Sequence, residues 1–196
     1  MEYARERLHQ YGFFLQIDLA PKTYAKQPGL LYASHDYTVI SSIADTVLLM
    51  TYEWGYAYGP PMAIAPLPQV EVVVRYTGTE IPTWKIQLGI SNYGYDWTLP
   101  YEPSRRAVTL GNEEAVRLVA QVGAEIQFDP IVQAPKFQYR TEDTLHQVWL
   151  EDVRSIQAKF DLIERYRLGG GTYWNLLRPF PQNWAFLTQN ITPRSL

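Results

Sequence analysis

A chain of 196 residues, 46% hydrophobic and 19% charged, is long enough to bury a sizeable core and has the balance of an ordinary globular domain. Its 17 basic and 20 acidic side chains leave a net charge of −3 without a basic cluster, which gives no support for nucleic acid or an anionic membrane surface as a partner. Cysteine is absent, which removes disulfides, thiolate metal sites and cysteine nucleophiles together, and no apolar run approaches the roughly 20 residues of a membrane-spanning helix.

The first stretch, MEYARERLHQYG, is charged throughout and carries no secretion-signal pattern, so it assigns the chain no compartment. Tyr3, Leu8 and Tyr11 fall on one helical face and Gly12 supplies a stop, so the chain is expected to open inside a helix. FFLQIDLAPK then reads as a strand ending at Pro21, with Gln16 and Asp18 alternating against Leu15, Ile17 and Leu19. After a loop rich in Lys, Gln, Pro and Gly, Tyr37, Ile40 and Ile43 have helical spacing. DTVLLMTYEW is a nearly continuous apolar strand of the kind covered on both faces. Pro68 to Tyr76 is predicted helical, with Val70, Val73 and Val74 on one side, and KIQLGISNYGYDW is a third strand running into an aromatic loop.

The pattern then changes. Asn112 is placed to cap a helix with Glu113 and Glu114 in its first turn and Gly123 at its end. AEIQFD, KFQYR and HQVWLE alternate like strands of a small antiparallel sheet. The helical stripe Val153, Ile156, Phe160 and Ile163, the strand GGGTYWNLL and the helix QNWAFLTQN follow. The fold class predicted is α/β, with parallel strands and right-handed crossovers, interrupted after the third strand by an α+β insertion from about Tyr101 to Leu150. Four βα units make half of a TIM (β/α)8 barrel, whose full form takes about 250 residues.

In parallel α/β folds function gathers at the C-terminal ends of the strands. Those ends hold Tyr52, Glu53, Trp54, Tyr93, Tyr95, Asp96, Trp97, Tyr173, Trp174 and Asn175. Aromatic rings pack on the C–H faces of sugars while carboxylates and amides take their hydroxyls, so this set suits a glycan; the alternative is that the aromatics plug a barrel end and cover loops. Other patterns carry no chemistry. His9, His35 and His146 are scattered without ligand spacing, so no metal is expected, and no cofactor motif is present. Gly169 to Gly171 precede a strand rather than follow one, which fits a helix cap and turn instead of a phosphate loop. Ser41 and Ser42 lack a nucleophile elbow, and Asp161 and Glu164 fit a solvated helix face.

Four long stretches, LLMTYEWGYAYGPPMAIAPLP, GISNYGYDWTLPY, VWLEDVRSIQAKFDLI and PFPQNW, together resemble family 18 glycoside hydrolases, in particular the chitinase-like, spore-germination and cortex-lytic N-acetylglucosaminidase branch. The resemblance runs over essentially the whole chain and implies that residues 1–196 are the C-terminal half of the catalytic domain, from the fourth helix through strands five to eight. It implies substrate-assisted hydrolysis, in which a glutamic acid protonates the glycosidic oxygen and the acetamido oxygen of the sugar attacks the anomeric carbon. Tyr52 matches the tyrosine that holds the acetamido group, Glu53 the neighbouring acidic position that is usually aspartate, and Trp174 the tryptophan flooring the cleaved subsite. Ser91 replaces the proline of G-x-P-x-Y-G, while Tyr93 and Gly94 fit. The acid itself belongs to D-x-x-D-x-D-x-E, which this sequence does not contain.

The resemblance therefore implies a portion of a glycosidase for N-acetylglucosamine-containing glycans, with a parent family in the spore envelope or cell wall, that is inactive alone. The other functional class is a non-catalytic glycan-binding or structural half-barrel module. Either way the expected partners are the glycan and either the absent N-terminal half or a second copy of the chain closing the barrel.

Overall fold

The computed structural model describes residues 1–192. In chain order they form α1 (Glu2–His9), β1 (Gln16–Leu19), α2 (Tyr37–Ile43), β2 (Thr46–Leu49), α3 (Leu67–Glu80), β3 (Ile86–Ser91), β4 (Gly94–Leu99), β5 (Val108–Leu110), α4 (Asn112–Val122), β6 (Gln127–Asp129), β7 (Ala134–Thr141), β8 (Thr144–Trp149), α5 (Val153–Arg165), β9 (Gly170–Trp174) and α6 (Pro181–Asn190). Two compact units share them: Met1–Thr51, Pro68–Ile90 and Phe160–Thr172 make the first, and Tyr52–Leu67, Ser91–Lys159 and residues 173–192 make the second.

The first unit is built on a four-stranded sheet in the order β1-β2-β3-β9. β2 runs parallel to both β1 and β3, with Leu19 opposite Leu49 and Leu49 opposite Leu88. All three leucines are fully buried, each worth roughly 1.5–3 kcal/mol relative to exposure. The helices form where the sequence supplies ends as well as faces. The Asp36 carboxylate accepts from Val39 N–H at 3.0 Å and so caps α2, and α3 buries Val70, Val73, Val74 and Thr77. In β1, Gln16 and Asp18 are exposed while Leu19 is buried, as its alternation predicts.

The second unit holds a five-stranded sheet in the order β5-β4-β8-β7-β6 whose pairs are antiparallel. Its core joins Ala115 to Phe137, Val148 and Leu150. Two expectations are corrected here. The stretch after β3 is a strand rather than an aromatic loop, because Tyr95 to Leu99 pair with Trp149 to Leu145 of β8; the antiparallel part thus starts at Gly94, before Tyr101. The cap of α4 is Gly111, whose N–H donates to the Glu114 carboxylate at 2.6 Å. Asn112 is instead 1% exposed, and its side chain bridges Asn92 and the Glu151 N–H. The other end of α4 is as expected, with Gly123 left-handed at φ 65°.

Two features follow from the local sequence around Gly94. A Cβ there would lie 2.3 Å from the Trp149 carbonyl oxygen, so only glycine lets β4 approach β8. Gly94→Ala should therefore cost on the order of 2 kcal/mol, read as a lowered thermal midpoint. Ser91, where the family pattern has proline, donates from its hydroxyl to Glu151 at 2.8 Å. The other Glu151 oxygen pairs with Lys159 Nζ at 2.8 Å, and both charged side chains are 1% exposed. Proline could not supply that hydrogen bond.

Candidate active site

Four segments of the second unit bring side chains around one cavity of about 300 Å³: Glu53 from the turn after β2, Tyr93 just before β4 and Tyr95 within it, Thr109 from β5, and Trp174, Asn175 and Arg178 from the end of β9 and the loop beyond it. Glu53 sits at φ 66°, a left-handed conformation that costs a residue with a Cβ on the order of 1 kcal/mol and that here turns its carboxylate toward the tyrosines. Tyr93 donates its hydroxyl to Glu53 Oε1, and Tyr95 donates to Oε1 at 3.0 Å and Oε2 at 3.2 Å. Burial first, and then the Glu53 carboxylate, push both phenols far above their usual range; for Tyr95 burial is followed by the charge and hydrogen bond of Glu53. Both therefore stay protonated and act as donors that hold one carboxylate in place.

The far wall is ordered from beneath. The Asn92 side-chain amide donates to the carbonyl oxygens of Asn175 at 2.8 Å and Arg178 at 2.9 Å, while Asn92 N–H donates to the Trp174 carbonyl at 2.9 Å. These bonds fix the chain after β9 with the Trp174 side chain 53% exposed, a large apolar plane left facing solvent beside a held carboxylate. The Trp174–Asn175 peptide is cis.

Of the residues singled out in the sequence, Glu53, Tyr93, Tyr95, Trp174 and Asn175 come together here. Tyr52 is half-buried and packs against the core formed by Tyr93, Tyr95, Trp97 and Trp149, and Trp54 is half-buried with its N–H bonded to the Ile64 carbonyl. Trp97 is 1% exposed and donates its indole N–H to the Gly59 carbonyl at 2.8 Å, so it is core. Asp96 points away from Tyr95 and Trp97, accepting from Tyr139 at 2.6 Å and contacting His146 Nδ1 at 3.0 Å. The reason is alternation: in a strand, neighbours face opposite sides, whereas a loop would let all three share one rim. Tyr173 is turned to α6, donating to Asn183 at 2.7 Å, and burial raises its phenol above the usual range.

Thr109 and Arg178 line the cavity without having been picked out. Thr109 lies on β5, a strand of three residues too short for a periodicity signal; Arg178 follows Leu177 in NLLRPF, where only its charge marks it. Among the described residues no cluster of three His, Asp or Glu side chains could hold a metal ion. The chemistry available is a polar acceptor held by two phenols, a further amide and cation, and an exposed indole face, which together suit a hydroxyl-rich ring with an amide substituent.

Residues 2–178 match the profile described as Glycosyl hydrolases family 18. The chain is 47% identical over 190 residues to a cortical fragment-lytic enzyme of Bacillus subtilis, covering 96% of this chain and 44% of that protein. It is similar in structure to the spore cortex-lytic enzyme SleL of Bacillus megaterium, with a TM-score of 0.92 and 44% identity over 97% of this chain and 44% of the other. A chitinase of Chromobacterium violaceum superposes with a TM-score of 0.86 at 25% identity, over 98% of this chain and 60% of the other. The chain thus spans about half the length, or less, of the curated relatives it matches.

Proposed function

Because the chain belongs to glycosyl hydrolase family 18, we propose that it supplies the glycan-holding part of a substrate-assisted, retaining glycosidase for N-acetylglucosamine-containing glycans, such as spore cortex peptidoglycan or chitin-like chains. The observation that carries this reading is the Glu53 carboxylate, gripped by the Tyr93 and Tyr95 hydroxyls, in one cavity with the exposed Trp174 indole. In this reading Trp174 floors the subsite, Tyr52 and Glu53 hold and orient the acetamido group, and Asn175 meets a ring hydroxyl. Orienting the acetamido oxygen toward the anomeric carbon makes the substrate its own nucleophile. Proton donation to the leaving oxygen is left to an acid outside this sequence, since D-x-x-D-x-D-x-E is absent.

The same reading takes residues 1–196 as the C-terminal half of the catalytic domain, with β1, β2, β3 and β9 as the last four strands of a (β/α)8 barrel and residues 101–150 within its insertion. It is supported by the parallel register of β1, β2 and β3 and by the edge positions of β1 and β9. Edges of this kind pair readily with further strands. Those strands come from a separate N-terminal half or from a second copy of the chain, and light scattering on the purified protein separates the two by mass.

Calorimetric titration with chito-oligosaccharides tests the function. Trp174→Ala should weaken binding by on the order of 1 kcal/mol, about fivefold, through loss of one stacked ring. Binding unchanged by that substitution would move the glycan elsewhere and leave the aromatic wall a structural feature.

A further inference from the structure

Within the first unit, the segment joining β1 to α2, residues 21–35, is a long loop held at its base. Tyr24, Leu30 and Leu31 on it face solvent. Among the described residues the hydrogen bonds of residues 23–34 stay within the loop, as where Thr23 N–H donates to Gln27 at 2.8 Å and Tyr32 N–H to the Gly29 carbonyl at 3.0 Å. Four bonds close the base. Ala20 N–H donates to His35 Nδ1 at 3.0 Å, and Lys22 N–H donates to the Tyr37 hydroxyl at 2.9 Å. That hydroxyl donates in turn to the Ala20 carbonyl, and Lys22 Nζ donates to the His35 carbonyl. A backbone N–H can only donate, so His35 Nδ1 carries a lone pair and its imidazole is neutral. Lys22 is buried, which puts an ammonium on the backbone of that same histidine.

From this geometry we infer that residues 21–35 form an acid-loosened strap, latched to the end of β1 while His35 is neutral and released there when Nδ1 takes a proton. The proton occupies the acceptor that Ala20 N–H needs, so two donors come to face each other. It also sets a second positive charge beside Lys22. The other charged and titratable groups nearby are already engaged or lie outside the latch. Asp18 is exposed on β1, the Asp36 carboxylate caps α2 through Val39 N–H, and Glu80 of α3 accepts from Thr38 at 3.0 Å. Tyr32 of the loop and Tyr76 of α3 flank Tyr37, whose phenol burial pushes up to about 12, so it stays protonated. Burial first, and then the Lys22 charge, hold the His35 imidazole below its usual range. A base lowered in this way lends stability above its unfolded value of about 6.5 and loses it as pH falls through the folded value. The strap is therefore closed at neutral pH and opens more readily on the acid side. The inference is independent of the glycan reading.

Amide hydrogen exchange of the full chain, followed by NMR from pH 8 to pH 4.5 and corrected for the intrinsic pH dependence of exchange, tests this. Protection of the Ala20 amide should fall about fivefold toward the acid end, the worth of one hydrogen bond between neutral groups. The fall should track the ring resonances of His35, while the Leu49 amide in the core of β2 keeps its protection. His35→Gln should leave Ala20 protected across the whole range, because a carboxamide oxygen accepts the same hydrogen bond and does not titrate. Lys22→Met should move the transition to higher pH, since the charge that disfavours the imidazolium is gone; a purely structural role for Lys22 would leave the midpoint where it is. The pH series on the unaltered chain keeps the inference testable even where a variant fails to fold. Ala20 protection that stays constant while His35 titrates would overturn the inference, and so would the same fall in His35→Gln. Equal losses at Ala20 and Leu49 would report acid unfolding of the whole unit and overturn the local latch.

Discussion

Purified residues 1–196 should release no measurable reducing ends from an N-acetylglucosamine oligosaccharide, whose leaving group is a sugar hydroxyl. The cavity has an acceptor, donors and a stacking plane, but substrate assistance supplies only the nucleophile; the leaving oxygen still needs a proton. General acids contribute typically about 10²–10⁴-fold, and without one the leaving group departs as an alkoxide. Glu53 is poorly placed to substitute, because its oxygens accept from Tyr93 and Tyr95 and so point toward donors. The informative control is Tyr52→Phe. Turnover by the unaltered chain that Tyr52→Phe abolishes would show an acid within these residues and defeat the reading of an incomplete site. Adding a segment that carries D-x-x-D-x-D-x-E should restore turnover that Tyr52→Phe then lowers.

Lys159→Met should destabilise the protein by about 3–5 kcal/mol, the usual result of removing one partner of a buried ion pair. Lys159 and Glu151 are each 1% exposed, and their contact is 2.8 Å. Among the described residues, losing the ammonium leaves the Glu151 carboxylate with the Ser91 hydroxyl as its remaining side-chain donor, too little to offset the lost hydration of a charge. Removing both charges is a different matter. Glu151→Leu with Lys159→Met should recover most of the loss, because an apolar pair of similar volume needs no desolvation of ions. Urea midpoints decide it: a double variant as unstable as Lys159→Met alone would mean that packing around Lys159, and not its charge, carries the effect. Ser91→Ala should cost about 1 kcal/mol, the smaller loss expected for a single hydrogen bond.

Burial and periodicity were legible without coordinates. The apolar run of β2, the valine stripe of α3 and the alternation in β1 each specify an element and the face it buries, because a helix repeats near 3.6 residues and a strand near 2 whatever the rest of the chain does. The motif stretches that mark family 18 are local strings as well, so membership was readable, and with it the acidic and aromatic side chains at the ends of β2 and β9. The absence of D-x-x-D-x-D-x-E is likewise a property of the sequence alone.

Which of those side chains meet was decided by tertiary structure. Tyr95, Asp96 and Trp97 are adjacent in the chain, yet one lines the cavity, one bonds to Tyr139 and His146, and one is core. Their fates are set by the pairing of β4 with β8, some fifty residues away, which fixes a strand where local pattern suggested a loop. The same distance hides Arg178 and Thr109, whose only signal is where β9 and β5 deliver them, and it hides the role of Asn112, drawn from its expected helix cap into bonds with Asn92 and Glu151. Local spacing encodes the face of an element. The partner that face meets is fixed by long-range strand pairing and by the hydrogen bonds that buried polar groups must find wherever the fold places their donors and acceptors.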